Sequence, residues 1–263
     1  MVVVVGVTTI ADGRTTQSAA LLGGLSAART DGVGAPVSRH DVAPRVAIFG
    51  DSVGFSLVLA LGNTTVIPNF HRTHSDVRLG CGIALSPSPP TDSPHACDDP
   101  AGRFAATAST HDVSVAVMVS CQWELLTQAL PGRGDDYYVI GHPSFDTYVR
   151  MRYEDVANQL SAAGVDRILW ATCPYMSTSV GVEGLAPRFV DSRDPARVDR
   201  LNAVIRAMAD DRPDVEVLAF SEWVNERIDN ATVRPDGSHF EYRGHNPAAD
   251  EFVRSVNAAL GEP

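Results

Sequence analysis

The sequence predicts an α/β protein in which a parallel sheet is covered by helices on both faces. Short apolar runs, several of them rich in β-branched residues, alternate along the chain with longer stretches that have a helical apolar period. Such an alternation is typical of parallel strands joined by right-handed helical crossovers. The apolar fraction of 44% is enough to bury a core in a chain of 263 residues. We therefore predict a three-layer, flavodoxin-like fold with five parallel strands.

The first half of the predicted sheet follows from runs that end at turn-forming residues. Residues 46–49 form an apolar run that stops at Gly50, and a helix is predicted over residues 55–61. A second strand is predicted over residues 65–70. Residues 80–103 contain many Pro, Ser, Asp and Gly residues and are predicted to form a long loop. A loop of this length inside a compact domain is usually functional or disordered.

The second half begins with the clearest strand, residues 113–119, which are apolar and largely β-branched. A helix is predicted over residues 144–163, with Ser144 as its N-cap and Gly164 just past its end. The remaining predicted elements are a strand over 167–172, a helix over 194–209 with one apolar face, a strand over 215–220 and a last helix over 247–260. Ligands in such sheets bind beyond the carboxyl ends of the strands.

The amino-terminal residues differ in composition from the rest. Residues 1–44 are rich in Gly, Ala, Ser and Thr, so we interpret them as a leader or linker before a domain over residues 45–263. The valine-rich residues 1–7 are too short to span a bilayer. They are either a first strand or frayed terminus, or the end of a membrane helix whose earlier part precedes this sequence. The net charge of −11 argues against a nucleic-acid or anionic-membrane partner, since both need clustered Lys and Arg.

A first candidate catalytic residue is Ser52, which follows Asp51 and the predicted first strand. Its backbone N–H would point out of a helix N-terminus, where it can stabilise developing negative charge. A serine at this position is more often a simple helix cap. The second signal, Asp236-Gly237-Ser238-His239 before the last helix, changes the interpretation. Two intervening residues let the carboxylate orient the imidazole, and a serine hydroxyl needs such a base.

The two motifs in this order resemble the SGNH, or GDSL-type, hydrolase superfamily. The resemblance implies a catalytic triad of Ser52, His239 and Asp236. It also implies an oxyanion hole made by the N–H of Ser52, a glycine N–H from a second block and an asparagine side chain from a third block. The second block is Arg78-Leu79-Gly80-Cys81-Gly82, in which either Gly82 or Gly80 supplies the N–H.

The third block departs from the family pattern. The clear strand is followed by Ser120-Cys121-Gln122-Trp123-Glu124, which contains no asparagine. Gln122 is an amide near the expected place, so it either donates to the oxyanion or leaves the hole to two backbone N–H groups. Loss of a side-chain donor typically costs about two to three orders of magnitude in rate. We expect Asp51, Trp123 and Glu124 to contact substrate.

The four cysteines form no CxxC pair, so a zinc ribbon is not predicted. By number alone they fit two disulfides or four buried thiols equally well. The Gly-Cys-Gly, Trp-Glu and Asp-Gly-x-His-Phe features resemble the carboxyl-terminal SGNH domains of bacterial integral-membrane O-acyltransferases. That resemblance implies a Cys81–Cys97 disulfide, an upstream membrane acyltransferase domain and an extracytoplasmic location. Because Cys121 and Cys173 follow strands predicted to be neighbours, a second bridge is possible.

The predicted activity is transfer of an ester-linked acyl group through an acyl-serine, and it requires no metal or organic cofactor. Three alternatives stay open: a domain that O-acylates a glycan, a free-standing carbohydrate esterase or deacetylase, and a glycan-binding module with a silent site. The partner in each case is an acylated carbohydrate or a small-molecule hydroxyl compound. The sequence does not indicate an oligomeric state.

Overall fold

A computed structural model describes residues 43–84, 97, 99–133 and 136–261, so nearly all of the predicted leader lies outside the described residues. Five parallel strands form the main sheet in the order β2-β1-β3-β6-β7. These strands are β1 (Arg45–Gly50), β2 (His71–Val77), β3 (Val115–Val119), β6 (Arg167–Ala171) and β7 (Val215–Leu218). A two-stranded antiparallel hairpin consists of β4 (Gln128–Ala129) and β5 (Tyr137–Tyr138). The predicted five-stranded parallel sheet is confirmed.

The helices form two groups on this sheet. They are α1 (Ser52–Ala60), α2 (Pro100–Thr110), α3 (Pro143–Ala162), α4 (Pro187–Asp191), α5 (Pro195–Asp210), α6 (Phe220–Asn225) and α7 (Pro247–Ala259). Helices α2, α3 and α5 pack side by side, while α1, α7 and α6 form a second contacting row. The central strand β3 is buried along its whole length between the two rows, whereas the edge strand β2 is partly exposed. The three-layer arrangement is therefore also confirmed.

The second strand lies later in the sequence than predicted. Residues 65–70 are outside the sheet, and β2 begins at His71. The hydroxyl and the backbone N–H of Thr65 instead donate to the Asp250 carboxylate at 2.7 and 2.8 Å. Pro68 has no N–H to contribute to a strand ladder. The hydrogen bonds to α7 thus outweigh the preference of this β-branched segment for a strand.

The predicted long loop is shorter at its carboxyl end than expected. Helix α2 starts at Pro100, and the Asp99 side chain caps it by accepting the Gly102 N–H at 2.9 Å. Proline in the first helical turn is a common start signal that the sequence interpretation missed. The predicted N-cap of α3 was also wrong, because His142 Nδ1 accepts the N–H of Ser144 at 3.2 Å.

Within the residues described above, no helix combines the length and apolar character needed to cross a bilayer. Over the same residues, no group of three or more His, Cys, Asp or Glu side chains is arranged to hold a metal ion.

Candidate active site

Ser52 lies at the carboxyl edge of the sheet, at the start of α1. The chain leaves β1 at Gly50, where an added Cβ would collide with the backbone carbonyl of Val119 on β3. Asp51 caps α1 by accepting the Val53 N–H at 2.9 Å. Glycine is therefore required for the tight exit from β1, and the cap orients the first turn of α1. Together they fix the position of the Ser52 hydroxyl.

The structure brings the three predicted triad residues together. His239 Nε2 lies 2.9 Å from Ser52 Oγ, and His239 Nδ1 lies 2.6 Å from Asp236 Oδ2. The next residue, Phe240, donates its N–H to Ser56 Oγ on α1 at 3.0 Å. This bond ties the segment with the histidine to the helix with the serine. The geometry allows an imidazole held by a carboxylate to accept the hydroxyl proton.

Asp236 is arranged to remain a carboxylate. Its other oxygen, Oδ1, accepts the N–H groups of Ser238 and His239 at 2.8 and 2.6 Å. Burial by itself would raise the pKa of Asp236, but these bonds and the His239 ring outweigh burial and hold the pKa well below its usual range. The side chains of His239 and Asp236 remain 33% and 51% exposed. A permanently charged carboxylate can therefore support an imidazolium at the open rim of the sheet.

Two buried arginines that the sequence interpretation missed hold the Asp236 turn. The guanidinium of Arg193 donates to the backbone carbonyls of Ser177, Val180, Gly181 and Asp236. The guanidinium of Arg234 donates to the carbonyls of Ser238 and Tyr175. Burial lowers the pKa of Arg234 to about 10, which still leaves it charged at neutral pH. No local pattern distinguishes these residues from surface arginines, because their partners are brought together only by folding.

Replacement of Arg193 by lysine should loosen this turn. A lysine lacks the planar fork that reaches carbonyls on two sides, and hydrogen bonds to charged groups contribute roughly 1.5–3 kcal/mol. We expect Arg193→Lys to lower the free energy of unfolding by about 2 kcal/mol in urea titrations. Arg254→Lys, at an exposed ion pair with Glu251, is the matched control and should change it by less than about 0.5 kcal/mol. Equal effects of the two variants would contradict a clamping role for Arg193.

Among the described residues, three of the groups predicted as oxyanion donors make no other hydrogen bond. Within the part of the chain that the structure describes, the N–H groups of Ser52 and Gly82 have no hydrogen-bond acceptor. Gln122 is 8% exposed, and its side-chain amide has no protein partner among those residues. Gly80 lies in the turn before Gly82, with a φ of +76°. An oxyanion donor needs an N–H without another acceptor, so Gly82 meets this requirement, and the choice between Gly82 and Gly80 stays a prediction.

Asp51 does not have the predicted contact with substrate. Its side chain is 0% exposed, and Oδ2 accepts the N–H groups of Cys121 and Gln122 at 3.0 and 3.1 Å. Burial raises the pKa of this carboxyl despite the three backbone N–H groups bonded to it. Its role is structural, because it links the start of α1 to the segment that follows β3 and so places Gln122 beside Ser52.

Glu124 is likewise buried, at 0% exposure, which contradicts its predicted substrate contact. Its Oε1 accepts the N–H groups of Ile83 and Ala84 at 2.6 and 3.1 Å. Burial, together with the nearby charge of Asp51, raises the pKa of Glu124 to about 7. Trp123, the third predicted substrate contact, packs its ring edge-on against Phe189 with the centroids 6.1 Å apart. Its contact with substrate stays a prediction.

The raised pKa of Glu124 has a consequence for stability. The unfolded chain ionises this group near its ordinary value of 4.5 and the folded protein near 7, so stability is lost as the pH rises through this range. Since one pKa unit corresponds to about 1.4 kcal/mol, the loss above pH 7 is on the order of 3 kcal/mol. We expect Glu124→Gln to be more stable than wild type at pH 8 and closer to it at pH 5, measured by urea unfolding. If the difference in free energy of unfolding between Glu124→Gln and wild type did not depend on pH, the raised pKa of Glu124 would be contradicted.

Both possible disulfides are present. Cys81 is bonded to Cys97, and Cys121 to Cys173, with Cα–Cα distances of 5.2 and 5.3 Å. The first bridge lies in the loop that holds Gly82. The second joins the segments that follow β3 and β6, next to Gln122. The predicted pairing is confirmed, and the four cysteines are not free thiols.

No protein-family model and no curated protein matches this sequence, whereas solved structures do. The inhibitor-bound aryl esterase of M. smegmatis matches with a TM-score of 0.52 at 13% identity, over 82% of this chain and 99% of that one. The C-terminal catalytic domain of Streptococcus pneumoniae peptidoglycan O-acetyltransferase A, as a methylsulfonyl adduct, matches with a TM-score of 0.45 at 14% identity, over 83% and 93%. Est24, a carbohydrate acetylesterase from Sinorhizobium meliloti, has a TM-score of 0.47 at 15% identity, over 82% and 99%.

The described chain has the fold of the SGNH hydrolases. At these identities the likeness defines the fold, and the activity must be argued from the side chains.

Proposed function

We propose that this protein is a serine esterase or O-acyltransferase that works through an acyl-serine intermediate. The observation that carries the proposal is the 2.9 Å distance between Ser52 Oγ and His239 Nε2, with Asp236 on the other ring nitrogen. A serine that only capped a helix would not need to be buried, and it would not need a hydrogen bond to an imidazole from a segment near the other end of the domain. The combination of nucleophile, base and orienting carboxylate is typical of acyl transfer.

In the proposed mechanism, His239 Nε2 takes the proton of Ser52 as Oγ attacks the acyl carbonyl. Asp236 holds the Nδ1–H of the ring and stabilises the imidazolium that forms. His239 then gives its proton to the departing alcohol, which leaves an acyl ester on Ser52. Water attacks this ester in hydrolysis, and a hydroxyl compound attacks it in transfer, with His239 again acting as the base.

The negative charge on the carbonyl oxygen would be stabilised by the N–H groups of Ser52 and Gly82. Gln122 is proposed as the side-chain donor in place of the asparagine of related sequences, since its backbone is held next to Ser52 by Asp51. The N–H of Ser52 has the added advantage of the positive end of α1. No step in this mechanism draws on a metal or organic cofactor.

For the acceptor we propose a glycan or small-molecule hydroxyl, and for the location an extracytoplasmic compartment. The location is supported by the two disulfides, which persist mainly in oxidising environments. An upstream membrane acyltransferase domain is a further proposed partner, based on the resemblance of the cysteine and Trp-Glu features.

A fluorophosphonate probe tests the proposed nucleophile. We expect stoichiometric labelling of the protein, with the modified peptide containing Ser52 and with labelling abolished by heat denaturation or by Ser52→Ala. Ser221, which is also buried but is hydrogen-bonded to Thr172, is a matched control, and Ser221→Ala should still be labelled. Labelling of a different residue would mean that the nucleophile has been assigned wrongly, whereas absence of labelling would favour the alternative of a glycan-binding module with a silent site.

A second measurement separates hydrolysis from transfer. The enzyme is given an activated aryl acetate with and without an added oligosaccharide, and the products are followed by mass spectrometry. Acetylated oligosaccharide that depends on Ser52 indicates a transferase, whereas free acetate alone indicates an esterase.

A further inference from the structure

Glu124 joins two of the segments that would form the oxyanion hole. It follows Gln122 by two residues, yet its carboxylate contacts the loop of Gly82, 40 residues or more away in sequence. A Cβ on Gly82 would lie 3.0 Å from Glu124 Oε1, so the loop lies directly against the carboxylate. The hydroxyl of Ser120 donates to both carboxylate oxygens at 3.3 Å.

Burying an ionised carboxylate at this position is energetically unfavourable. Among the described residues, none of the ion pairs includes Glu124. The titratable groups that interact with it are another carboxylate, Asp51, and the phenols of Tyr148 and Tyr153 on α3. A glutamine could accept the same N–H groups without the cost of a buried, unpaired charge. The charge therefore calls for an explanation other than stability.

We propose that Glu124 is a positioning residue that, as a carboxylate, holds the loop of Gly82 so that its N–H faces the reacting carbonyl. This inference rests on the proposed acyl-transfer function. Hydrogen bonds to an ionised acceptor are shorter and roughly twice as strong as neutral ones, so two consecutive amides on one carboxylate fix the loop firmly. Asp51 makes the equivalent link between α1 and Gln122. The two buried side chains thus fix the relative positions of three segments: the start of α1, the segment that follows β3 and the loop of Gly82.

Ionisation of Glu124 then adds to the pH dependence of catalysis. With a pKa of about 7, Glu124 becomes neutral as the pH falls through neutrality, and its hold on the Ile83 and Ala84 N–H groups weakens. The ratio of the wild-type rate to the Glu124→Gln rate should therefore fall as the pH drops through about 7, because only wild type loses this charge.

The test compares Glu124→Ala and Glu124→Gln with wild type, using an activated aryl acetate between pH 5.5 and 9. We expect Glu124→Ala to lower kcat about 100-fold, with KM changed by less than about threefold, because a misplaced oxyanion donor affects the transition state. Glu124→Gln should lower kcat about tenfold at high pH, and its rate should approach that of wild type as the pH falls below about 7. The matched control is Glu216→Gln, at an exposed ion pair with Arg167, whose profile should superimpose on that of wild type.

Two kinetic results would overturn the inference. These are a folded Glu124→Ala with kcat within about twofold of wild type, and a ratio of wild-type to Glu124→Gln rates that does not change with pH.

Amide hydrogen exchange distinguishes failure of this inference from failure of the proposed function. Exchange at Ile83 and Ala84 should be faster in Glu124→Ala than in wild type, while exchange at Val53, which is bonded to Asp51, should not change. Unchanged exchange at Ile83 and Ala84 overturns the inference even if the enzyme is active. Absence of turnover and of Ser52 labelling in wild type instead overturns the proposed function, and the catalytic role of Glu124 with it.

Discussion

Replacement of His239 by alanine should lower kcat for aryl acetate hydrolysis by about four to six orders of magnitude. Without the imidazole, no other base among the described residues is hydrogen-bonded to Ser52 Oγ, and a serine hydroxyl at neutral pH is a poor nucleophile. KM should change little, because the histidine acts mainly in the transition state. Asp236→Asn should lower kcat by about four orders of magnitude, because it disturbs the tautomer of His239 but does not remove the base. Steady-state kinetics on purified, folded variants provide the measurement.

The chain offers a matched control in a second histidine–aspartate pair. His245 Nε2 lies 2.9 Å from Asp250 Oδ2, much as His239 lies beside Asp236. Here, however, the hydroxyl groups of Thr64 and Thr65 donate to the carboxylate, and in the described part of the chain no hydroxyl is hydrogen-bonded to the His245 ring. His245→Ala should therefore leave kcat within about threefold of wild type. More than about one per cent of wild-type activity in His239→Ala would show that the base has been assigned wrongly.

Loss of the Cys121–Cys173 disulfide should have the largest effect on stability. The bridge joins residues 52 positions apart, and closing a loop of this length in the unfolded chain corresponds to about 4 kcal/mol. The double variant Cys121→Ala/Cys173→Ala should lose about that much free energy of unfolding in urea titrations. Because Cys121 also donates its N–H to Asp51 next to Gln122, we expect kcat to fall as well, by less than in His239→Ala.

Two comparisons check the origin of this loss. Wild type measured with a reductant should approach the double variant in stability. The Cys81→Ala/Cys97→Ala variant, whose bridge spans 16 positions, should lose about 3 kcal/mol. A double variant at Cys121 and Cys173 as stable as wild type would mean that the bridge contributes no net stabilisation.

Much of the site could be predicted because its signals are local. Ser52 follows an apolar run that ends in glycine, and Asp236 and His239 lie within one turn of each other, so their relation depends on neighbouring residues. Convergence of the two segments followed from the rule that ligand sites form at the carboxyl ends of parallel strands. A disulfide between Cys121 and Cys173 could be foreseen for the same reason, since these residues follow neighbouring strands.

Other predictions failed where a distant partner decides the outcome. Residues 65–70 have strand-like composition, but Asp250, far along the chain, binds Thr65 and keeps the segment out of the sheet. Asp51 and Glu124 are polar residues at the site edge, which normally suggests contact with substrate. Their burial depends on backbone N–H groups that folding brings to them, as when Glu124 bonds Ile83 41 positions away.

The sequence by itself therefore predicted the five-stranded parallel sheet, the candidate nucleophile Ser52 and the turn that joins Asp236 to His239. These features arise from apolar runs, caps and turns a few residues long, in which the interacting groups are covalently close. Only the tertiary structure decided which polar side chains are buried, including the carboxylates below the oxyanion loops and the arginines that hold the Asp236 turn. Burial depends on what the rest of the chain packs around a residue, and no local pattern contains that information.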